Sequence, residues 1–283
     1  MYRLARLKVL NSDRSGALPF YEGVAFHLQE LLDEGQIAPI ESEITTCLKA
    51  ADDACGELEL EEAAQWAKLA ILMTAKCDVR LPELAPQLVA IGRFLQHGGL
   101  NDDAERIFVE ALALLRDGSN EALCAELFGR LGQMYANGSD LLKADQTLRE
   151  AVSSYETLGI ENEQLAELLL ALAVVQIKLE KQSAAVPLLR RCAALVEHYH
   201  GESSLLTQVL SIMGSACVST GYMLVEAEQV YKRVLSILEA NGQGESPDAA
   251  AVLEILGSLM DHAGRPEDAE SLRERAAAIR GKH

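Results

Sequence analysis

A recurring alanine constrains this chain more than any other feature. Five alanines follow one another at intervals of 40, 41, 42 and 42 residues, each early in a segment with helical character. A small or modest residue comes seven positions after each of them. A period in this range predicts a stack of similar supersecondary units, because one unit cannot bury its own apolar face. The five positions are Ala104, Ala144, Ala185, Ala227 and Ala269.

Each of these alanines is preceded, twelve or thirteen residues earlier, by another small residue. Two helices can approach to about 8 Å only where small side chains face each other. The spacing therefore predicts helix hairpins, with a bulky residue four positions after the alanine filling the seam towards the next hairpin. The early small residues are Gly92, Gly132, Ala173, Gly214 and Gly257, and the bulky ones are Phe108, Leu148, Leu189 and Tyr231.

The composition supports helices throughout. Apolar residues make up 49% of the 283 residues, alanine and leucine dominate, and long alternating β-branched runs are absent. Alanine and leucine lose little freedom in a helix. We predict an all-α solenoid with five repeats over 85–283. A degenerate hairpin over 42–84 and an N-terminal helical cap over 1–41, whose helix over 19–34 opens on Pro19, complete the predicted organisation.

Several residues in this pattern resemble the tetratricopeptide repeat. Leu-Gly pairs stand at 131–132 and 256–257, Tyr135 follows the first pair, and Ala104, Phe108 and Ala111 form the small–bulky–small set. The period of 40–42 residues is similar to that of kinesin light chain-like repeats, although the signature tryptophan and an Asn-rich first helix are missing. The resemblance implies a right-handed superhelix that binds proteins.

Charge and cysteine usage narrow the class of partner. The formal net charge is −18, which disfavours nucleic acid because phosphate binding needs a dense basic face. No apolar run is long enough to span a membrane, and the six cysteines are scattered, as in a reducing compartment. We expect a soluble cytoplasmic protein. The acidic segment 28–63 is either a solvated face or a docking surface for a basic partner.

Sequence motifs of catalysis are absent. The chain has no phosphate loop, HExxH, EF-hand loop or GxSxG elbow. His198 and His200 lie two residues apart, so they point to different faces of a helix and make a poor metal pair. We therefore predict no enzyme, no metal and no cofactor.

The resemblance also implies where a ligand binds, because the first helices of such repeats line a concave groove. The corresponding positions change along the chain from mildly basic through apolar to hydroxyl and acidic side chains. The groove candidates are Val89, Arg93, Gln96, Gly129, Arg130, Gln133, Ala136, Asn137, Leu170, Val174, Ile177, Ser211, Ser215, Val218, Glu254, Ser258 and Asp261.

These positions predict a peptide with an apolar anchor at Leu170, Val174 and Ile177, and a carboxylate held by Arg93 and Arg130. Alternatively, the apolar stripe is internal packing, and the arginines pair with neighbouring glutamates. The function favoured is a protein-interaction scaffold. The alternatives are a ligand-sensing regulator of a separate output protein, and a protein that self-assembles into homo-oligomers through an uncapped C-terminal helix.

Overall fold

The computed structural model describes residues 14–26, 40–77, 81–115, 120–138 and 140–281. Those residues form thirteen α-helices and one short 3-10 turn, with no strand among them. The helices are α1 (Arg14–Phe26), α2 (Ile40–Gly56), α3 (Leu60–Cys77), α4 (Ala85–His97), α5 (Asn101–Leu114), α6 (Glu121–Asn137), α7 (Leu141–Thr157), α8 (Glu163–Lys178), α9 (Gln182–His200), α10 (Ser204–Thr220), α11 (Leu224–Ala240), α12 (Pro247–His262) and α13 (Pro266–Arg280).

The even-numbered helices from α2 are called first helices, and the odd-numbered ones from α3 are called second helices. The chain divides into two compact units, 1–134 (unit 1) and 135–283 (unit 2). In unit 1, α2 packs on α3 and α4 packs on α5. In unit 2, each second helix from α7 to α11 packs on the first helix that follows it. The prediction of an all-α solenoid of stacked hairpins is confirmed.

Side-chain caps and glycines fix where the helices begin and end. The side chains of Asn162, Ser203 and Ser246 accept hydrogen bonds from backbone N–H groups in the first turns of α8, α10 and α12. These caps satisfy donors that a helix cannot pair internally. Gly221 ends α10 with a φ of 74°, a left-handed conformation that glycine adopts without a Cβ clash. The short turns fold each chain segment back on itself.

The recurring small residues lie in the seams, as predicted. All five alanines that set the period have no exposed surface. The residues seven positions later are also buried, and they are Ala111, Ala151, Cys192, Val234 and Ala276.

The structure differs from the prediction in one respect: a bulky side chain, rather than an alanine, occupies the space over the glycines. A Cβ on Gly92 would lie 2.5 Å from Cε1 of Phe108, and a Cβ on Gly214 would lie 2.7 Å from Cε2 of Tyr231. The bulky residue therefore packs over the glycine of its own hairpin. Burying a ring against the partner helix removes more apolar surface from water than a glycine–alanine contact does. The ring therefore occupies the space over the glycine.

An aromatic and polar cluster joins α1 to the first hairpin of unit 1. The rings of Tyr21 and Trp66 meet edge to face at 5.2 Å. The Tyr21 hydroxyl donates to Oε2 of the fully buried Glu43 at 3.0 Å. Trp66, which fits no repeat position, thus packs against α1.

The helix predicted over 19–34 begins earlier than expected. It starts at Arg14 and has Pro19 inside it; the rest of the prediction lies in 27–39, outside the described residues. Proline has no N–H, so the carbonyl of Ser15 loses its helical donor. Ser15 is exposed, and water can serve that carbonyl. The helix therefore continues through the proline.

The last helix, α13, is buried on one side and charged on the other. Ala276 and Ile279 pack with Ala250 and Leu253 of α12. The large apolar residues exposed in the described part of the chain include none from α13. Among the described helices, none is long and apolar enough to cross a membrane.

Candidate peptide-binding surface

Two arginines on adjacent first helices of unit 1 converge on one carboxylate. Arg93 is on α4 and Arg130 is on α6, and the Nε atom of each donates to Oε1 of Glu126 at 2.8 Å. Arg130 Nη1 also donates to Oε1 of Gln96 at 3.2 Å. We call Arg93, Gln96, Glu126 and Arg130 the arginine cluster. The three residues predicted from sequence do come together here.

The arginine cluster carries one more positive charge than negative. The side chains of Arg93, Arg130 and Glu126 are 43%, 28% and 27% exposed, so the cluster remains open to solvent. Partial burial by itself would raise the pKa of Glu126, but hydrogen bonds from Arg93 and Arg130 outweigh it and hold that pKa below its ordinary value. Glu126 is therefore ionised at neutral pH, and the two guanidinium groups retain donors for a further acceptor.

Glu126 is the residue of the arginine cluster that the groove prediction did not name. The alternative prediction, in which the arginines pair with a neighbouring glutamate, describes this contact. Glu126 stands four residues before Arg130, a spacing that places two side chains side by side on a helix. That spacing in the sequence indicated the contact between Glu126 and Arg130. The contact with Arg93 depends on how α4 lies against α6.

The other candidates in unit 1 divide by burial. Val89 is only 2% exposed and packs in the interior, and Gly129 is also buried. Gln133, one turn beyond Gly129 on α6, is half-buried. Ala136 and Asn137, at the end of α6, belong to unit 2, where Ala136 is half-buried and Asn137 is exposed.

The apolar stripe of α8 in unit 2 is partly accessible. Leu170, Val174 and Ile177 are each half-buried, whereas the neighbouring Leu169 and Leu172 are buried. The helix is apolar on nearly all sides, as expected for one that packs against α7 and α9. The stripe thus contributes to packing and also presents apolar surface.

Two of the three serines predicted on α10 and α12 bond to their own helices. Ser211 Oγ donates to the carbonyl of Thr207 at 2.8 Å, and Ser258 Oγ donates to that of Glu254 at 3.1 Å. Such i−4 bonds compete with any ligand. Ser215 and Val218 on α10 are exposed.

The acidic candidates on α12 are paired with arginines of α13. The Oε2 atom of Glu254 lies 2.7 Å from Nη2 of Arg280, and Asp261 forms an ion pair with Arg273. Arg273 stands at the bulky position of its repeat, and its stem lies over Gly257. This end of unit 2 is therefore less acidic than the sequence of α12 alone suggests.

The second helices of unit 2 carry a repeating ion pair. Arg191, Arg233 and Arg275 stand 42 residues apart. Each binds a glutamate of the preceding second helix, and these partners are Glu156, Glu197 and Glu239. We call these three pairs the second-helix ladder. The arginines follow the alanine period, but the ladder was not predicted from the sequence.

The hairpins, their glycine–ring seams and the period of 40–42 residues define a helical repeat protein with the tetratricopeptide-repeat fold. Three solved structures illustrate the likeness. BtubC (BKLC) from P. vanneervenii is 20% identical over 87% of this chain and 92% of its own, with a TM-score of 0.53. A Podosopora anserina putative kinesin light chain with nearly identical TPR-like repeats is 18% identical over 72% and 98%, with a TM-score of 0.54.

The third structure is YrrB, described as a TPR protein with an unusual peptide-binding site. It is 22% identical over 70% of this chain and 88% of its own, with a TM-score of 0.53. No protein-family model matches the sequence, and no curated protein matches it. At these identities, the likeness establishes the fold.

Proposed function

We propose that this chain is a non-catalytic scaffold that binds a peptide segment of a partner protein on its first helices. The observation that carries the proposal is the arginine cluster, in which two guanidinium groups share one carboxylate on an accessible face of unit 1. An excess of positive charge is unusual in a chain of net charge −18. It suits a carboxylate, because guanidinium binds carboxylate through two parallel hydrogen bonds.

The peptide presents an acidic side chain or its C-terminal carboxylate to Arg93 and Arg130. Gln96 and Gln133, half-buried on the same two helices, supply neutral hydrogen-bonding groups beside the charge. A stiff, preformed helical surface loses little entropy on binding. The fold supports this function, since a structural neighbour, YrrB, is described as having a peptide-binding site.

In unit 2, Leu170, Val174 and Ile177 provide an apolar site for an anchoring side chain of the partner. These side chains lie three or four residues apart on α8 and so share one face. Substituting Leu170→Asp and Val174→Asp places charge on that face, and we expect loss of partner binding with unchanged helix content by circular dichroism. Retained binding by the folded variant would remove the apolar site from the proposal.

A peptide-selection experiment tests the role of the arginines. Short random peptides with free C-termini are selected on the purified wild-type chain and on an Arg93→Gln, Arg130→Gln variant. A second variant, with Glu126→Gln added, leaves no unpaired carboxylate and protects the fold. We expect wild type to enrich acidic or carboxylate-terminated peptides, and both variants to lose them by about tenfold or more in affinity.

The matched control is Arg191→Gln with Arg233→Gln. It makes the same change in net charge on the second-helix ladder, and selection on it should reproduce the wild-type peptides. If the control loses the peptides as well, net charge rather than the cluster is responsible. If wild type enriches peptides without acidic groups, the cluster is not a carboxylate site.

A further inference from the structure

A pocket of about 230 Å³ opens in unit 2 between α8, the last turns of α9 and the first turn of α10. Apolar side chains form most of its wall, and ionisable side chains stand among them. The pocket is lined by Glu163, Ala166, Glu167, Leu170, Cys192, Leu195, Val196, Tyr199, His200 and Leu205. Its volume is below the roughly 300–1,000 Å³ typical of small-molecule sites. A single side chain suits it better than a whole metabolite.

The wall of this pocket is fixed by contacts outside it. The hydroxyl of Tyr199 donates to the carbonyl of Glu161 at 2.7 Å, which holds the 42% exposed ring in place. The thiol of Cys192 donates to the carbonyl of Ala166 at 3.2 Å. Burial raises the pKa of that thiol to about 11, so it lines the pocket as a neutral, apolar group.

Two carboxylates, those of Glu163 and Glu167, line the pocket. The Oε1 atom of Glu163 lies 3.6 Å from Nε2 of His200. Glu167 is exposed and has no hydrogen bond or ion pair within the described ranges. Both carboxylates share one face of α8 with Leu170.

Helix ends contribute an opposing but smaller charge. The amino ends of α8 and α10 each carry roughly half a positive charge, and the side chains of Asn162 and Ser203 already accept from N–H groups there. Two full carboxylate charges exceed these partial charges. A cationic group is therefore favoured over an anionic one at the mouth of the pocket.

We propose that this pocket binds an arginine side chain of the partner segment. The aliphatic stem lies on the apolar wall, and the guanidinium group meets Glu167 and the face of the Tyr199 ring. Arginine buries its stem along apolar surface and stacks on aromatic rings more readily than lysine does. This assignment rests on the proposed function, because it supposes a polypeptide ligand, and it names one side chain of that ligand.

Methyl NMR on the full chain tests the assignment with defined probes. Acetylarginine methylamide is titrated into wild type while the methyl signals of Leu170, Leu195 and Leu205 are followed. We expect these signals to shift together and to saturate. The neutral acetylnorleucine methylamide, which has the stem without the charge, should bind several-fold more weakly. Norleucine binding as tight as that of arginine would overturn the assignment.

Two substitutions and a control sharpen the experiment. Glu167→Gln keeps the apolar wall and should raise the dissociation constant by about threefold to tenfold. Tyr199→Leu should abolish the preference for the arginine probe over Nα-acetyl-lysine methylamide, in which the side-chain amine is free. Glu274→Gln, an exposed site on α13 with the same charge change, should have no effect. An unchanged dissociation constant in Glu167→Gln would overturn the assignment.

A last probe separates a peptide side chain from a free small molecule. Butylguanidine carries the same head group and stem without the peptide bonds. Tight binding of butylguanidine with no binding of the arginine methylamide would assign the pocket to a small molecule and overturn this inference. The titration monitors residues of unit 2 alone. A lack of binding in it therefore does not affect the test of the arginine cluster in unit 1.

Discussion

On the second helices of unit 2, arginine and glutamate recur at the same place in successive repeats, whereas the arginine cluster on the first helices of unit 1 occurs once. The second-helix ladder joins each of α9, α11 and α13 to the second helix before it. The arginine cluster instead gathers two cations on one anion. A surface whose residues recur in successive repeats stabilises the stacking of those repeats, because every interface between neighbouring hairpins needs the same contacts. A face that varies is available for recognition.

The seams, in contrast to these surfaces, are alike in the two units. Phe108 in unit 1 and Tyr231 in unit 2 both pack over a glycine of their own hairpin. The seam is thus common to both units, while their first-helix surfaces differ.

Removing a seam ring should have the largest effect on stability. Phe108→Ala is expected to lower the free energy of unfolding by about 3–5 kcal/mol, since it leaves a cavity in a fully buried site. Tyr231→Ala is the matched change in unit 2 and should have an effect of similar size. Chemical denaturation measures both. A cost below about 1 kcal/mol at either position would mean that the two seams are not equivalent.

Filling the glycine beneath the ring should have the next largest effect. Gly92→Ala is expected to cost about 1–3 kcal/mol by overpacking against Phe108. In the Phe108→Ala background, the sign should reverse, because the added methyl meets a cavity and alanine favours helix by roughly 1 kcal/mol. A double-mutant cycle by denaturation measures the coupling. Additive effects would show that the glycine and the ring do not share one space.

Among the residues that the structure describes, two turns carry a non-glycine residue in the left-handed region, one in each unit. Leu58 has a φ of 64° and Glu180 a φ of 61°, conformations that cost side chains with a Cβ roughly 1–2 kcal/mol. Leu58→Gly and Glu180→Gly are each expected to stabilise the chain by up to about 1 kcal/mol, observed as a higher melting temperature. Leu58→Ala and Glu180→Ala are the controls and should give no gain.

Breaking one rung of the second-helix ladder should have a small effect. Arg233→Gln is expected to cost about 0.2–1 kcal/mol, because exposed ion pairs contribute little. The cost should shrink in high salt, which screens surface charges. Peptide binding on the first helices should not change. A larger loss, or altered binding, would break the distinction between the stacking face and the recognition face.

The smallest expected effect is confined to acid. The pKa of Glu126 is held below its ordinary value of 4.5 by the arginines, against partial burial. Its stabilising contribution is therefore present above about 4.5 and is lost as pH falls through the lower, folded-state pKa. Melting temperatures of Glu126→Gln should fall less steeply than those of wild type below that pH. Identical slopes would contradict the pKa direction.

The hairpin period was predicted correctly because its signal is periodic in the sequence, although the second-helix ladder and the contact of Glu126 with Arg130 carried such a signal too and were not predicted. The spacing of Ala104, Ala185 and Ala269 predicted the hairpin period, because a residue at a seam must be small in every repeat. Arg93 and Arg130 were placed on one surface by their repeat positions, and the structure brings them together at Glu126. Whether that surface binds a peptide stays a prediction.

The sequence by itself determined the helical class, the period and the buried seam, since these follow from residue size and spacing along one helix. Only the tertiary structure decided that Phe108 lies over Gly92, that Glu126 lies between two arginines, and that α8, α9 and α10 enclose a pocket beside Glu167. Each of these contacts joins side chains from different helices. Their geometry depends on helix crossing and rotation, which packing of the whole interface sets.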